Sequence, residues 1–553
     1  MMTMEKLYII DAIGPFFKAN SKKTINWSKI PFAKYEKDDG LSPKTAEHIL
    51  EDFVVFLEKA KEAGYNAISL DDLPHMVIFP FYTPKTKDIL NRFLALYRQI
   101  FKLTQEKKMK IFINADIMFY NQEMEAWIAA GKGTAFDLLL QAVDQCLSAL
   151  PIDGVIFRIG ECDGMDVKGI FKSALSLKTP KQVNQLIREL LLLFEEHNKF
   201  LIFRTWTVGV FPIGDLMWNA RTYDQAFQHI DSSNFIASLK YGDTDFYSGL
   251  ELNSLLFHGN HQKLIELQTR REREGFGEFP FYVGWDYEGY ANQLKNCNQL
   301  VGISVWCQTG GWTRWNNRTY LTHSSRWNEL NTFAAVQLFR HEKSADSCIL
   351  ETFGHADWIR FLRLFSEYFV EILYPKEIVQ TPLYFRRLRV PPCLWLFWDS
   401  VTLSPLILSF YRLIQTSPLS FAEKEIDSLC QLGKKLRIRD IDYYGDTLRI
   451  LMEVRSALTE AIDKQDLKKR IKQFKKKYPD SFKFKIQSTW QASKPMGLFL
   501  RFVLRNRPAY RLIDRIWLNP PISIILRLVL TQNQKHMPKF VNRKAMNLDL
   551  IFK

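Results

Sequence analysis

Residues 235–246 read FIASLKYGDTDF, an apolar run of β-forming residues that ends in a lysine, a glycine and two aspartates. Lys240 precedes Asp245 by five residues, so a cation and a carboxylate follow the point where the apolar run stops. Taken alone, the stretch is typical of a surface turn that closes a strand, because glycine and aspartate are ordinary turn formers. The other interpretation is that both charged groups face one ligand, and the surrounding sequence decides between the two.

The same pattern, a short apolar run with a polar end followed by a helical stretch, recurs through the first three-fifths of the chain. Residues 45–64 and 183–199, which lie between such runs, have apolar residues at spacings of three and four, as amphipathic helices do. Eight successive units of this kind predict a (β/α)8 TIM barrel rather than a doubly wound sheet. The runs are residues 7–15, 65–73, 110–119, 153–161, 200–209, 235–246, 279–290 and 300–312.

In such a barrel, functional side chains lie where the strands end and the loops to the helices begin. The predicted strand ends combine carboxylates, cations and tryptophans, which suits a carbohydrate site because indole faces stack on sugar rings and acids transfer protons. Each residue alone is equally well explained by a helix cap or a neighbouring charge, but their convergence favours a site. The candidates for substrate binding are Asp72, Arg158, Arg204, Trp206, Lys240, Trp285 and Trp306.

Six stretches, within roughly residues 45–310, resemble the barrel of the α-glucuronidases of glycoside hydrolase family 67. They are EAGYNAISLDDL (62–73), KKMKIFINADIMF (107–119), DGVIFRIGECDG (153–164), LIFRTWTVG (201–209), ASLKYGDTDF (237–246) and KLIELQTRREREG (263–275). The resemblance implies an inverting hydrolase that removes α-linked glucuronic acid from a glycan such as xylan, without a metal or organic cofactor. The chain departs from the family after Glu161, where CDG replaces a glycine-rich turn. The resemblance therefore does not indicate which leaving group the substrate carries.

The resemblance also implies roles for individual residues. Glu161, at the end of the fourth predicted strand, matches the general acid. Asp245 and Glu272 match the pair of carboxylates that activates water. Arg204 and Lys240 match cations that hold the carboxylate of the uronic acid.

The chemistry of inverting glycosidases agrees with these roles. Their acid and base lie about 6.5–9.5 Å apart with a water between them, and two carboxylates near one water raise the pKa of one by mutual repulsion. A uronate is matched by fixed cations, for which arginine offers a planar fork and lysine a point charge. Glu266 competes with Glu272 for the base, and we expect Glu266 to be structural. The stretch KYGDTDF is therefore predicted to be functional rather than a simple turn.

Charge and cysteine content limit the other classes of function. The net charge of +15 invites a nucleic-acid partner, but the sequence contains no zinc-finger spacing, Walker loop or RNA-binding aromatic motif. The seven cysteines lack CxxC spacing, which argues against a zinc site and favours a reducing compartment. The first apolar run stops at Asp11, too soon for a signal-peptide core. We therefore expect a cytoplasmic protein without a nucleic-acid partner. The family resemblance adds the expectation of a carbohydrate substrate and of no metal or cofactor.

The βα pattern stops near residue 325 and long amphipathic helices follow, so we expect a catalytic barrel at 1–325 and an α-helical domain at 326–553. Residues 391–411 are apolar enough to suggest a membrane span, but Asp399 and Pro405 oppose it, and burial between helices is predicted.

Two basic segments follow in this second domain. Residues 468–477 are interpreted as a solvated helix face. The tail at 498–530 mixes arginine with large apolar residues, which suits an anionic membrane interface. Peripheral membrane attachment through this tail is the corresponding hypothesis.

A rival class is a non-hydrolytic carbohydrate-binding protein or membrane-associated scaffold that keeps the barrel but not its activity. A second rival is a glycosidase that acts on a bacterial surface polysaccharide. Glu161, Asp245 and Glu272 favour a hydrolase, since a binding protein has little need of all three. The sequence does not indicate the glycan, the linkage or the oligomeric state.

Overall fold

The computed structural model describes residues 5–19, 30–159, 169–207, 211–308, 319–321, 325–381, 416–459 and 464–486, with separate positions between 384 and 414. Eight parallel strands close into a barrel in chain order, and β1 pairs with β8 through residues 7–10 and 302–305. The predicted TIM barrel is confirmed. The strands are β1 Leu7–Asp11, β2 Ala67–Asp71, β3 Lys110–Ile117, β4 Gly154–Ile159, β5 Phe200–Arg204, β6 Phe235–Lys240, β7 Gln262–Gln268 and β8 Leu300–Trp306.

The seventh strand lies elsewhere than predicted. It is Gln262–Gln268, whereas the predicted strand at 279–290 overlaps the helix Gly284–Leu294. In that helix Tyr287, Tyr290 and Leu294 are buried at spacings of three and four, so these residues form one helix face. The aromatic residues have high β propensity, but packing outside the barrel overrides it. The prediction of a strand at 279–290 was wrong.

Helices surround the barrel. The connection from β6 to β7, which is described throughout, contains the 3₁₀ turn Ser254–Phe257 in place of an α-helix. Shorter helices are Gly14–Ala19, Phe32–Tyr35 and Gln122–Ala129. The barrel helices are α1 Pro43–Ala63, α2 Pro84–Glu106, α3 Ala135–Ala149, α4 Pro180–Glu196, α5 Ala220–Phe227, α6 Gly284–Leu294 and α7 Arg326–His341.

Helix α7 completes the ring, although it begins one residue after the predicted domain boundary at 325. The hydroxyl of Tyr65, just before β2, donates to the carbonyl of Thr332 at 2.7 Å. The side-chain amide of Gln337 donates to the carbonyl of Ala63 at 2.6 Å. Helix α7 therefore joins the last βα unit to the first, as the eighth strand's helix does in this fold.

The C-terminal region contains helices and a small sheet. Strand β9, Ser400–Leu403, pairs in parallel with β10, Lys483–Ile486, and antiparallel with Leu396–Phe397. The predicted helical region thus also has strands, which the sequence pattern did not indicate. The helices are α8 Ala345–Phe353, α9 Ala356–Leu373, α10 Glu423–Lys435, α11 Ile441–Thr459 and α12 Lys464–Lys477.

The apolar and basic segments of this region pack against the rest of the protein. Within 391–411, the described residues Val401, Leu403 and Leu408 are buried in the core. In α12 one face is buried at spacings of three and four, while Lys468, Lys469, Lys472, Lys476 and Lys477 are exposed. In the described part of the chain, no helix combines the length and the apolar character needed to cross a membrane. The tail at 498–530 lies outside the described residues.

Candidate active site

Charged and polar side chains fill the barrel at the C-terminal ends of its strands. Below them a floor of apolar residues faces inward: Leu7, Ile9, Ala67, Phe112, Ile156, Ile202, Ile236 and Leu264. Because alternate residues of a strand face the same side, the positions two and four residues further along point into the barrel mouth. These residues are all buried: Asp11, Ser69, Asp71, Asn114, Asp116, Arg158, Arg204, Ser238, Lys240, Glu266 and Gln268.

Arg158 lies between carboxylates of two other strands. Its Nε is 2.8 Å from Oδ1 of Asp116, and its Nη1 is 3.3 Å from Oδ1 of Asp71. Two carboxylates surround one guanidinium here, so this part of the mouth is acidic. A substrate-binding role for Arg158 stays a prediction.

Arg204 is held by Glu266 across the barrel. Its Nε and Nη2 donate to the two carboxylate oxygens at 2.9 Å and 2.8 Å, and Ser238 donates to Glu266 at 2.8 Å. The guanidinium also lies 4.7 Å from the centroid of a ring of Trp306. A bidentate pair fixes the plane of the arginine. Glu266 thus makes the kind of contact expected of a structural residue.

Lys240 and Asp245 of the KYGDTDF stretch contact each other. The lysine Nζ donates to Oδ1 of Asp245 at 2.6 Å and lies 3.4 Å from the centroid of a ring of Trp206. Arg273 donates to the other carboxylate oxygen, Oδ2. Burial alone raises the pKa of Asp245, but Lys240 and Arg273 outweigh burial and lower it well below the usual range. The expected rise by like-charge repulsion is therefore not found at Asp245.

Glu272 begins a short 3₁₀ turn, Glu272–Glu274, just after β7. Its Oε2 accepts from Arg270 at 2.9 Å, and its backbone N–H donates to Oε1 of Gln268 at 3.1 Å. The turn is anchored by Arg271, which binds both oxygens of Glu274 at 2.7 and 3.0 Å. The backbone turn and the ion pair hold Glu272 at the rim of the barrel.

Asp245 and Glu272 meet electrostatically at Arg273. Burial disfavours the charged form of this arginine. Tyr247, Asp245 and Glu272 outweigh burial and raise its pKa. The structure thus brings the two carboxylates assigned to the base into the neighbourhood of one guanidinium. Glu161, the predicted acid, lies outside the described residues, two positions beyond the end of β4.

Asp72 belongs to a buried cluster with a histidine. Nδ1 of His75 lies 2.6 Å from Asp72, and its Nε2 lies 2.9 Å from Glu36. Burial disfavours the imidazolium, but the two carboxylates outweigh it and raise the pKa of His75 to about 9. Glu36 also accepts from the backbone N–H of Ile170 at 2.9 Å. The cluster joins the end of β2 to the chain that returns from β4.

Trp285 is not at a strand end. It lies in the first turn of α6, where its indole N–H donates to Asp346 at 2.8 Å and Arg363 lies 4.6 Å from a ring centroid. Both partners belong to the C-terminal helices. Its predicted position at the end of a seventh strand was wrong, because that strand is formed by other residues.

Sequence reasoning missed Arg270, Arg273, Gln268 and Asp11. The two arginines lie in the stretch ELQTRREREG, in which five charged residues follow one another at 270–274. A dense run of charged residues after a strand was the sequence signal that could have identified them.

Among the described residues, no group of three or more His, Cys, Asp or Glu side chains is placed to hold a metal ion.

No protein-family model and no curated protein sequence matches the chain. Solved structures of similar fold include a GH138 enzyme targeting pectin rhamnogalacturonan II, with 8% identity and a TM-score of 0.49 over 87% of this chain and 63% of that one. The chain thus spans less than two thirds of that enzyme. A β-mannanase from the blue mussel Mytilus edulis has 10% identity and a TM-score of 0.34, over 61% of this chain and 94% of the mannanase. A D-allulose 3-epimerase from Methylomonas sp. has 11% identity and a TM-score of 0.36, over 62% and 100%.

Proposed function

We propose that the protein is a glycoside hydrolase that removes an α-linked uronic acid from an oligo- or polysaccharide, with inversion. The observation that supports it is the cluster of Lys240, Asp245 and Arg273 beside Trp206. Lys240 and Arg273 converge on this one carboxylate from two different loops of the barrel mouth. An arginine fork and a lysine point charge together suit recognition of a carboxylate, and a uronate carries one.

The proposed reaction uses three carboxylates. Glu161 donates a proton to the leaving oxygen as the bond to the anomeric carbon breaks. Glu272 takes a proton from the water whose oxygen forms the new bond to that carbon. Asp245 stays ionised and holds Lys240 and Arg273 toward the sugar, because its lowered pKa makes it a weak base. The products are the free uronic acid and the shortened glycan.

The tryptophans of the site carry cations on one ring face each. Lys240 covers a face of Trp206, and Arg204 covers a face of Trp306. Stacking on a sugar ring is therefore confined to the opposite faces. In the proposed site the indoles also hold the cations in place, since cation–π contact contributes roughly 0.5–2 kcal/mol.

The test is a hydrolysis screen of the purified protein on α-linked uronosides and on the matching neutral hexosides. We expect release of uronic acid, with the β anomer formed first when the reaction is followed by NMR, because direct attack by water inverts the anomeric carbon. Initial release of the α anomer would show a covalent intermediate and require new roles for Asp245 and Glu272. Binding of uronosides without any turnover would instead support the rival function, a carbohydrate-binding protein.

A further inference from the structure

Three neighbouring strands place one side chain each in a row across the barrel mouth. Trp306 of β8 is in register with Gln268 of β7. Asp11 of β1 directly follows the residue paired with Val305, so it stands beside Trp306 on the other side. Neighbouring strands are about 4.8 Å apart, which makes the row about 10 Å wide. All three side chains are more than nine-tenths buried.

Each member of this row has one polar atom without a hydrogen-bond partner in the described structure: Nε2 of Gln268, Nε1 of Trp306 and Oδ2 of Asp11. The remaining polar atoms are occupied. Oε1 of Gln268 accepts from the backbone of Glu272, and Oδ1 of Asp11 accepts from the backbone of Cys307 at 2.6 Å. The row thus offers two donors and one acceptor from side chains that are already fixed.

Trp306 is fixed by a different contact. Arg204 lies over its indole, and Glu266 holds Arg204 through both carboxylate oxygens. The indole N–H therefore has a defined position at the mouth, although no acceptor in the described part of the chain reaches it. Burying a polar atom without a partner is costly, so a ligand that supplies the partners explains the arrangement.

We propose that the row of Gln268, Trp306 and Asp11 binds the hydroxyl groups of the sugar ring, with the two donors and the acceptor recognising adjacent hydroxyls. A hydroxyl both donates and accepts, so one vicinal diol satisfies the whole row. The indole and amide donors are neutral and suit hydroxyls, whereas Lys240 and Arg273 suit a carboxylate. This inference rests on the proposed function and names the groups that set which sugar stereoisomer fits.

The kinetic test compares 4-nitrophenyl α-D-glucuronide with its 2-, 3- and 4-deoxy analogues. Trp306→Phe removes the N–H and keeps an aromatic ring for Arg204. We expect this variant to have a kcat/KM about tenfold below that of the wild type on the parent substrate, the cost of one hydrogen bond. On the deoxy analogue that lacks the hydroxyl bound by Trp306, variant and wild type should have the same kcat/KM. For Asp11→Asn, variant and wild type should become equal on the analogue that lacks the adjacent hydroxyl. The control Trp327→Phe removes an indole N–H bonded to Tyr444 in the core and should not discriminate among the analogues.

A binding readout separates this inference from the proposed hydrolysis. In protein labelled with ¹⁵N-tryptophan, the indole N–H resonance of Trp306 is the one that is missing from the spectrum of Trp306→Phe. This resonance should shift when methyl α-D-glucopyranoside or methyl α-D-glucuronoside is added to the wild type. A shift without hydrolysis by the wild type would leave the row established and overturn the hydrolase. Hydrolysis with no shift, and with equal losses on every analogue, would overturn the row and leave the hydrolase. A Trp306→Phe protein that does not fold still leaves the Asp11→Asn series to decide.

Discussion

Lys240 Nζ donates a 2.6 Å hydrogen bond to Asp245 Oδ1, and the two residues are only five positions apart in the chain. The ammonium simultaneously lies 3.4 Å from the centroid of a ring of Trp206 and 4.3 Å from that of Phe246. The ammonium is thus surrounded by two aromatic rings and one carboxylate instead of water. Arg273 binds the same carboxylate. Its other partners, Trp206 and Arg273, follow two further strands, so the pair contacts more of the barrel mouth than its own loop.

Lys240→Ala should lower kcat/KM roughly thirtyfold on an α-uronoside and change little on the matching hexoside. Removing one partner of a desolvated charge pair typically costs about 2–5 kcal/mol, mostly from the charge left unpaired. The measurement is kcat/KM for both proteins on both substrates. Lys263→Met is the matched control, because this buried lysine lies at the opposite end of β7, near the carbonyls of Gly259 and His261. Equal losses on both substrates would mean that Lys240 only orients Asp245.

Glu161→Gln should lower turnover by orders of magnitude on substrates whose leaving group needs protonation. Aryl uronosides with acidic phenols should lose far less, because the phenolate leaves without a proton. The comparison is the slope of log kcat against the pKa of the leaving group, which should steepen in the variant. Glu251→Gln, at an exposed carboxylate, serves as the control. An unchanged slope would exclude Glu161 as the acid.

The His75 cluster should make stability fall at alkaline pH. The pKa of His75 is about 9 in the folded protein and about 6.5 when unfolded, so folding binds a proton between these values. Stabilisation of about 3 kcal/mol is complete below pH 6.5 and lost as pH rises to 9. Denaturant unfolding at pH 6 and 9.5 measures it. Burial lowers the pKa of Lys263 to about 8, so this residue titrates in the same range. Its contribution cancels when the free energy of unfolding of His75→Gln is subtracted from that of the wild type. A pH-independent difference would refute the charged histidine.

Arg389, in the C-terminal region, binds the loop that carries Asp245. It donates to Asp243 and to the carbonyl of Val379 at 2.7 Å, and its own carbonyl accepts from Thr244 at 2.5 Å. Arg389→Ala should lower kcat/KM on a uronoside roughly tenfold, the cost of a charged hydrogen bond. In a double-mutant cycle, Asp243→Ala should add little to it. Additive losses would show that the arginine acts elsewhere.

The tail at 498–530 should bind acidic liposomes at low salt, because arginine and large apolar residues together suit an anionic membrane surface. Sedimentation of the full chain with phosphatidylserine vesicles measures this, and binding should weaken as salt screens the charges. Truncation after Ile486, which keeps β10, should abolish it. Binding that survives the truncation would assign the attachment to another surface.

The repeated runs of alternating or continuous apolar residues were enough to predict the barrel. Seven of the eight runs contain a barrel strand, because a short alternating or continuous apolar run is typical of a buried strand. The seventh run, 279–290, is the exception, because it contains the start of a helix instead of a strand. Its aromatic residues have high β propensity, but Tyr287 and Tyr290 pack as one helix face against Tyr241 and the end of β7.

The alternation of side chains along the strands predicted three of the cations in the barrel mouth. Arg158 and Arg204 follow apolar strand residues at a spacing of two, and Lys240 follows Ile236 at a spacing of four. Alternation along each strand therefore points all three inward. The sequence also indicated that Lys240 lies near Asp245, since both belong to one short stretch.

The long-range charge pairs of the site depend on the tertiary structure. Arg204 and Glu266 are 62 positions apart, and Arg273 reaches Asp245 across 28. Trp306 meets Gln268 and Asp11 through the register of the closing strands. Such contacts depend on how strands align around the barrel, and strand register is set by the summed packing of the whole core. Local periodicity therefore specified the direction of each side chain, while barrel closure specified its partner.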